Sequence, residues 1–145
     1  MKRFTFPLET ARQWRNRQAE IQEMRLQQLV AEKQNIEDRR VALDEELDRE
    51  RRRIGDGAID VQRLASLDRY ATFVTRDQHR LAAARADCER RIEAQRAVLM
   101  EARRAFQLIE RLKEKALIEW QAAGAKEQEE LAAELFLARR AREES

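Results

Sequence analysis

The feature that most constrains this chain is a stretch of residues, 60–141, that contains no proline and a single glycine, Gly124. Within it, side chains spaced alternately three and four residues apart form one stripe. The stripe consists of Leu64, Leu67, Ala71, Val74, Gln78, Leu81, Arg85, Cys88, Ile92, Gln95, Leu99, Ala102, Phe106, Ile109, Lys113, Ala116, Trp120 and Ala123. Fourteen of these eighteen residues are apolar, and their spacing is that of a coiled-coil seam. Because a helix with one apolar stripe is not stable alone in water, the pattern predicts a long helix paired with another helix.

A shorter stripe with the same spacing precedes this stretch. It consists of Leu8, Arg12, Arg15, Ala19, Gln22, Leu26, Leu29, Lys33, Ile36, Arg40, Leu43, Leu47, Glu50 and Ile54, of which eight are apolar. Pro7 suits a first helical turn, and Glu9 is favourable near the positive end of the helix dipole. The sequence therefore predicts a first helix over residues 8–54.

A glycine-bearing break, residues 55–59, separates the two stripes. The two glycines in Gly55-Asp56-Gly57 are expected to supply the positive φ angles of a helix C-cap and turn. Asp60 is expected to cap a second helix over residues 60–141. A short connection makes the two helices antiparallel neighbours. An alternative is a separate short helix over residues 60–74, with the long helix restarting near Asp77.

These patterns predict an all-α fold: a long two-helix antiparallel coiled-coil hairpin with a protruding C-terminal helix, forming a single domain over residues 1–145. The second helix is the longer, so roughly 20 to 40 of its residues are expected to extend past the first. There the seam shifts to Trp120, Gly124, Gln128, Leu131, Leu135 and Ala138, a stutter that unwinds the supercoil locally. Because exposed apolar patches often mark interfaces, we expect a docking helix for another protein; a frayed tail or a self-association site is the alternative.

Composition excludes several classes of protein. Charged residues make up 40% of the chain and aromatic residues 6%, which leaves too few large apolar side chains for a compact globule of this length. No apolar run approaches the ~20 residues that a membrane-spanning helix needs, and no signal-peptide pattern follows Met1, so we expect a cytoplasmic protein. A single cysteine, Cys88, forbids an internal disulfide, and its place in the stripe predicts a buried side chain.

Arginine accounts for 25 of the 30 basic residues, yet the net charge is only +2. Arginine and acidic residues interleave along the chain, which argues against nucleic-acid binding, and the one arginine triplet, residues 51–53, is a weak phosphate footprint. The arginines either lie on solvated helix faces or make bidentate contacts to acidic protein surfaces.

The residues that catalysis or metal binding requires are not grouped in this sequence. His79 has no cysteine or second histidine near it, and neither Gly55 nor Gly57 begins a phosphate-binding loop. A two-helix hairpin also lacks the concave cleft that small-molecule chemistry uses. We therefore expect no enzyme activity, no cofactor and no metal site.

Two segments resemble a known family. The opening residues 1–9, Met-Lys-Arg-Phe-Thr-Phe-Pro-Leu-Glu, are followed by Trp14 and Arg15. Later, residues 110–115, Glu-Arg-Leu-Lys-Glu-Lys, precede Trp120 and the acidic run at 127–131. Together with the length and the break near residue 55, these features resemble the flagellar export protein FliJ family. The chain departs from that family at Thr10-Ala11, where bulkier apolar residues are usual.

The resemblance implies a central stalk of a type III protein export apparatus. In that family an antiparallel coiled coil inserts its terminal end into a hexameric export ATPase ring and promotes its activity. The opposite tip contacts the membrane export gate, and members also escort export chaperones. Applied to this chain, the resemblance implies that the ATPase is bound by Phe4, Phe6, Arg12, Arg15, Trp120, Leu131, Leu135, Phe136, Arg139 and Arg140. Gate binding falls on Tyr70 and Phe73.

The resemblance also implies a location in the cytoplasm at the inner face of the cell membrane, reached only through partners. Two other functions stay open at this point. One is the stalk of a virulence type III secretion system, and the other is a generic coiled-coil adaptor or scaffold. For the adaptor, the same seam would join two chains, which the break at residues 55–57 disfavours.

Overall fold

The computed structural model describes residues 2–55, 57 and 60–144, which form two α-helices and no strand. Helix α1 comprises Glu9–Gly55, 47 residues, and helix α2 comprises Val61–Glu144, 84 residues. The predicted all-α fold with two long helices is therefore confirmed. The contacts divide the chain into unit 1, Met1–Ala19 with Glu101–Ser145, and unit 2, Glu20–Met100. The single domain remains a prediction.

Helix α1 begins one residue later than predicted, because Pro7 and Leu8 form a turn that leads into it. The Glu9 N–H donates to the carbonyl of Phe6 at 3.1 Å, and the Arg12 N–H donates to the carbonyl of Leu8 at 2.8 Å. The fixed φ angle of proline suits the second position of such a turn and costs no helical hydrogen bond. Leu8 thus supplies the first helical acceptor while its own side chain stays 46% exposed.

Helix α1 ends at Gly55, and here one prediction is wrong. None of the described glycines, Gly55, Gly57 and Gly124, has a positive φ angle. Gly55 continues the helix as its last residue, and a Cβ added there would meet no neighbouring group within 4 Å, so no close contact requires a glycine. The Gly57 N–H donates to the carbonyl of Ile54 at 3.4 Å. The rest of the predicted turn, Asp56, Ala58 and Ile59, lies outside the described residues.

Asp60 caps helix α2 as predicted. Its Oδ1 accepts from the Gln62 N–H at 3.1 Å, which gives a partner to an N–H group that has none within the helix. Its carbonyl accepts from the Leu64 N–H, also at 3.1 Å. Helix α2 then continues without interruption to Glu144, three residues beyond the predicted end. The alternative of a separate short helix over residues 60–74 is therefore wrong.

The apolar core lies in unit 2 and consists of side chains from both stripes. Leu43 and Leu47 of α1 form one cluster with Val74 and Leu81 of α2, all less than 9% exposed. Around them lie half-buried Ile36, Leu67, Tyr70 and Ala71. Farther along α2, Cys88, Ile92 and Leu99 are also buried. Each fully buried leucine or isoleucine contributes about 1.5–3 kcal/mol through its removal from water, so this line of side chains stabilises unit 2.

Polar stripe residues in unit 2 are accommodated by hydrogen bonds between the helices. Three α2 side chains donate to main-chain carbonyls of α1: Gln78 to Arg40 at 2.8 Å, Cys88 to Leu29 at 3.2 Å, and Gln95 to Gln22 at 3.0 Å. The residue numbers on α2 rise as those on α1 fall. Because buried polar groups are costly without partners, these bonds allow glutamine to occupy a seam.

Unit 1 has a thinner interior than unit 2. Among its described residues only Gly124 is buried, although stripe residues such as Phe106, Ile109 and Ala116 are half-buried. Ala123 is exposed and Gly124 is buried, which places the seam shift where the sequence predicted the stutter. The described part of unit 1 therefore has less apolar burial than unit 2 to hold its helical segments together.

Candidate functional site

An aromatic pair joins the non-helical residues 2–6 to helix α2 in unit 1. The rings of Phe4 and Trp120 lie 5.7 Å apart between centroids and are tilted by 55°, a favourable geometry for aromatic side chains. Phe4, Phe6 and Trp120 are all half-buried. Phe4 and Trp120 were both predicted site residues, and the structure brings them together although 116 positions separate them in sequence.

Arg12 is the centre of a charged network in the same unit. Its Nε forms an ion pair with Glu110, and its Nη1 lies 3.1 Å from Oε1 of Glu9. Its guanidinium also lies over the Phe106 ring, 5.7 Å from the centroid. The other carboxylate oxygen of Glu9 lies 3.0 Å from Nζ of Lys113. Arg12 therefore joins the two helical segments of unit 1.

Arg15, the second predicted arginine of α1, has different surroundings. Its guanidinium lies over the Trp14 ring, 4.9 Å from the centroid, and both residues are exposed. Arg15 thus departs from the predicted seam and presents its charge, with an aromatic surface beside it, at the outside of α1. An arginine held on an aromatic face is well placed for bidentate contact with a carboxylate.

The Glu9 carboxylate titrates below its usual range. A hydrogen bond from Lys113 lowers the pKa of Glu9 from its ordinary value of 4.5; partial burial acts against this, and the charges of Lys113 and Arg12 add to it. A carboxyl whose pKa falls on folding stabilises the folded state fully above its unfolded pKa. That contribution is lost as the pH falls through the folded value.

We expect a carbon-13 NMR titration of the Glu9 carboxyl to give a pKa below 4.5 in the unmodified chain. Replacing Lys113 with methionine removes the strongest cause, so the pKa should rise toward its ordinary value. The matched control is Lys115→Met, because Lys115 is exposed two positions farther along α2. An equal shift in both variants, or none in either, would show that the Lys113 contact does not set this pKa.

Residues 125–144 of α2 are exposed throughout. The predicted docking side chains Leu131, Leu135 and Phe136 are 57%, 63% and 65% exposed, and Arg139 and Arg140 are exposed beside them. Leu137 is equally exposed at 62%. The sequence analysis did not name Leu137, although it lies beside Phe136 and is just as accessible. Because exposing large apolar side chains to water is unfavourable, this segment is a candidate docking surface.

The two predicted gate-binding residues lie together in unit 2. The rings of Tyr70 and Phe73 stack at 6.5 Å, Phe73 is 55% exposed, and the Tyr70 hydroxyl donates to Glu46 at 3.2 Å. Partial burial raises the pKa of Tyr70, and the bond to Glu46 raises it further. Phe73 therefore presents an accessible aromatic ring, whereas Tyr70 is half-buried.

A cleft of about 1060 Å³, which the sequence did not predict, lies beside Tyr70 in unit 2. It is lined by the last turns of α1, including Ile54, and by the first turns of α2, including Leu67. Leu64, which the stripe predicted to be covered, is 46% exposed. The cleft is lined by three arginines, Arg49, Arg53 and Arg63, and three acidic residues, Glu46, Glu50 and Asp60, so its lining has no net charge to select an ion.

Within the described residues, no cluster of three or more histidine, cysteine or acidic side chains could hold a metal ion. Across the same residues, neither helix contains a segment apolar enough to span a membrane. Comparison with family models, with curated proteins and with solved structures finds no match for this chain. The candidate site is therefore described by geometry alone: exposed apolar residues 125–144 with the Phe4–Trp120 pair in unit 1, and the Tyr70–Phe73 pair in unit 2.

Proposed function

We propose that this chain is a non-enzymatic stalk, or coupling component, of a flagellar type III protein export apparatus. The observation that carries the proposal is the exposed apolar surface of residues 125–144. This surface belongs to the same compact unit as the Phe4–Trp120 pair and Arg15. All ten residues assigned to ATPase binding thus fall in unit 1, whereas Tyr70 and Phe73 fall in unit 2. This separation supports a protein with two docking surfaces for two different partners.

The proposal includes an antiparallel coiled coil. It is supported by the interhelical bonds of unit 2, in which Gln78, Cys88 and Gln95 of α2 donate to residues 40, 29 and 22 of α1. Residue numbers that rise on one helix as they fall on the other are those of antiparallel neighbours. The buried stripe residues on both helices fit knobs-into-holes packing.

The proposed partner of unit 1 is a hexameric export ATPase. Leu131 and Leu135 would fill apolar grooves of the ring, while Arg139 and Arg140 would pair with carboxylates at its rim. A stalk of two unlike helices contacts six equivalent subunits unequally. Each hydrolysis step could then favour a different orientation of the stalk, because a ligand shifts an equilibrium through its unequal affinity for the states.

The proposed partner of unit 2 is the export gate in the membrane, contacted through Tyr70 and Phe73. Under this proposal the chain works in the cytoplasm, at the inner face of the membrane, and reaches the membrane only through its partners. The exposed Phe73 ring supplies apolar contact area, and the Tyr70 hydroxyl supplies a polar contact beside it. Escort of export chaperones is a further role that the proposal includes.

Co-purification tests the proposed function. The chain is mixed with a purified flagellar export ATPase, and complex formation and the rate of ATP hydrolysis are both measured. We expect a complex and a faster rate. A chain that neither binds the ATPase nor changes its rate of hydrolysis does not have this function. If the chain binds only the ATPase of a virulence secretion system, it is a component of that system instead.

A separate experiment tests which of the two proposed docking surfaces binds which partner. Replacing Tyr70 and Phe73 together with alanine is expected to weaken binding to the isolated gate protein and to leave ATPase binding unchanged. Val41→Ala is a suitable control, because Val41 is a similarly exposed apolar residue of unit 2 at 54%. Loss of ATPase binding with retained gate binding would reverse the assignment.

A further inference from the structure

The polar residues of the two stripes meet one another in unit 2. Gln78 of α2 donates to the Arg40 carbonyl at 2.8 Å, and its Oε1 accepts from Nε of Arg40 at 3.2 Å. Gln95 donates to the carbonyl of Gln22 at 3.0 Å and to the side-chain Oε1 of the same residue at 2.8 Å. All four residues are half-buried. Each of these two polar layers therefore contains its own hydrogen-bonding partners.

A charged layer lies between these two layers. Nε of Arg85 lies 2.5 Å from Oε1 of Glu37 and 3.2 Å from Oε1 of Glu89. Nζ of Lys33 lies 3.4 Å from the same oxygen of Glu89. The two cations of the stripes, Lys33 and Arg85, thus share one carboxylate, and Glu37 balances the second positive charge.

The spacing of the polar layers is matched on the two helices. Along α2 the polar stripe residues of unit 2 lie at 78, 85 and 95, separated by seven and ten positions. Along α1, in the opposite direction, they lie at 40, 33 and 22, separated by seven and eleven positions. The stripe residues between them are apolar on both helices, and Glu50, the remaining polar stripe residue of α1 in unit 2, lines the cleft. Because the separations are unequal, sliding one helix by a heptad cannot keep all three layers matched.

A slide of one heptad would place a charge beside an apolar side chain. In one direction Arg85 would come to lie beside Leu26, and in the other Lys33 would come to lie beside Ile92. Removing a charge from its partners and packing it against apolar groups is costly. The apolar layers would impose no such penalty by themselves, because a slide only exchanges one apolar neighbour for another.

The packing at the start of α2 does not impose the register. Residues 60–66 are all exposed, and the largest apolar side chains among them, Val61 and Leu64, are 80% and 46% exposed. Unwinding the first turn of α2 would lengthen the connection between the helices and would expose no buried side chain. The alignment must therefore be determined farther along the seam.

We propose that the three polar layers set the register of unit 2 and thereby determine which residue of α1 faces Tyr70. In the observed register the Tyr70 hydroxyl donates to Glu46. A slide of one heptad, about 10 Å along the helix axis, would bring Arg39 or Arg53 to the level of Glu46. Polar residues in a coiled-coil seam can specify one alignment at a cost in stability. The inference goes beyond the proposed function and does not rest on it.

Disulfide formation within one chain measures the register. Leu29→Cys reports the observed register, because Sγ of Cys88 lies 3.2 Å from the Leu29 carbonyl. Ile36→Cys reports a slide in one direction, since position 36 would then lie opposite Cys88. Leu29→Cys combined with Leu81→Cys in a Cys88→Ala background reports a slide in the other direction. In the otherwise unmodified chain we expect the first reporter to form a disulfide and the other two to stay reduced.

Replacing the layers with leucine tests the proposal. The residues changed together are Gln22, Lys33, Arg40, Gln78, Arg85 and Gln95. We expect the ratio of observed-register to slid disulfide to fall at least about tenfold, because every alignment then places apolar residues beside apolar residues. The same chain should unfold at an equal or higher denaturant concentration, since apolar packing can replace a paired polar layer without loss of stability.

Two further variants complete the experiment. Lys33→Leu with Arg85→Leu removes only the charged layer and should already give slid disulfide, because these charges oppose a slide in either direction. The matched control is Lys33→Arg with Arg85→Lys, which keeps the charged layer and should behave as the unmodified chain. If both leucine variants form only the observed-register disulfide, in the yield of the unmodified chain, the polar layers do not set the register and the proposal is overturned.

Discussion

Replacing Ile92 with aspartate is expected to lower the free energy of unfolding by about 3–5 kcal/mol. Ile92 is 5% exposed in the seam of unit 2, so the change removes a buried apolar side chain and puts a carboxylate in its place. An unpaired buried charge is among the most costly changes that a single substitution can make. Leu47→Asp, at a residue 8% exposed on α1, should cost a similar amount.

Chemical denaturation followed by circular dichroism measures both variants. The matched controls are Ala97→Asp on α2 and Val41→Asp on α1, because both residues are exposed and the added charge stays in water. We expect the controls to change the free energy of unfolding by less than about 0.5 kcal/mol. If the seam variants are as stable as the controls, the assignment of the seam is wrong.

Deleting the residues after Gly124 is expected to abolish ATPase binding and stimulation while leaving the melting temperature nearly unchanged. The described residues of this segment are exposed throughout, so their removal takes away no buried side chain. It does take away the apolar residues Leu131, Leu135, Phe136 and Leu137 and the arginines beside them. Substituting Phe4, Phe6, Arg12 and Arg15 should give a weaker form of the same defect.

ATP hydrolysis and thermal melting are measured on the same truncated protein. Leu131→Asp serves as a point variant with little structural disturbance, and Ala133→Asp is its control on the opposite helix face. Unfolding on truncation would mean that the segment is structural, and the docking role would lose its support. Undiminished stimulation by the truncated chain would contradict the docking role directly.

Periodicity predicted most of what is buried. Val74, Cys88 and Leu99 lie at stripe positions and are buried, because a 3.5-residue repeat places its members on one face whatever lies opposite. The same rule fails where local geometry intervenes. Leu8, in the turn before α1, and Leu64, in the first turns of α2, are both 46% exposed although both belong to the stripes. Periodicity along one helix contains no information about where a second helix ends.

The contacts of the candidate site were harder to predict than its members. The sequence singled out Phe4, Arg12 and Trp120, but not the pairs Phe4–Trp120 and Arg12–Glu110. Arg12–Glu110 depends on the register between the two helices, and Phe4–Trp120 depends also on the path of the non-helical residues 2–6; neither can be read from the spacing along one helix. For the same reason the stripe shows Lys113 as one of its four polar members but does not reveal the ion pair that Lys113 forms with Glu9.

The three bonds from Gln78, Cys88 and Gln95 to main-chain carbonyls of α1 bear on how this protein can vary over evolution. Every residue has a carbonyl, so the acceptors survive substitution of Arg40, Leu29 or Gln22. The donors are side chains, so substituting Gln78, Cys88 or Gln95 removes the hydrogen bond. If these bonds fix the register between the helices, the donor residues of α2 should be conserved, whereas the residues opposite them on α1 should vary more freely. Related chains should keep a donor at 78 and 95 more faithfully than any particular side chain at 40 and 22.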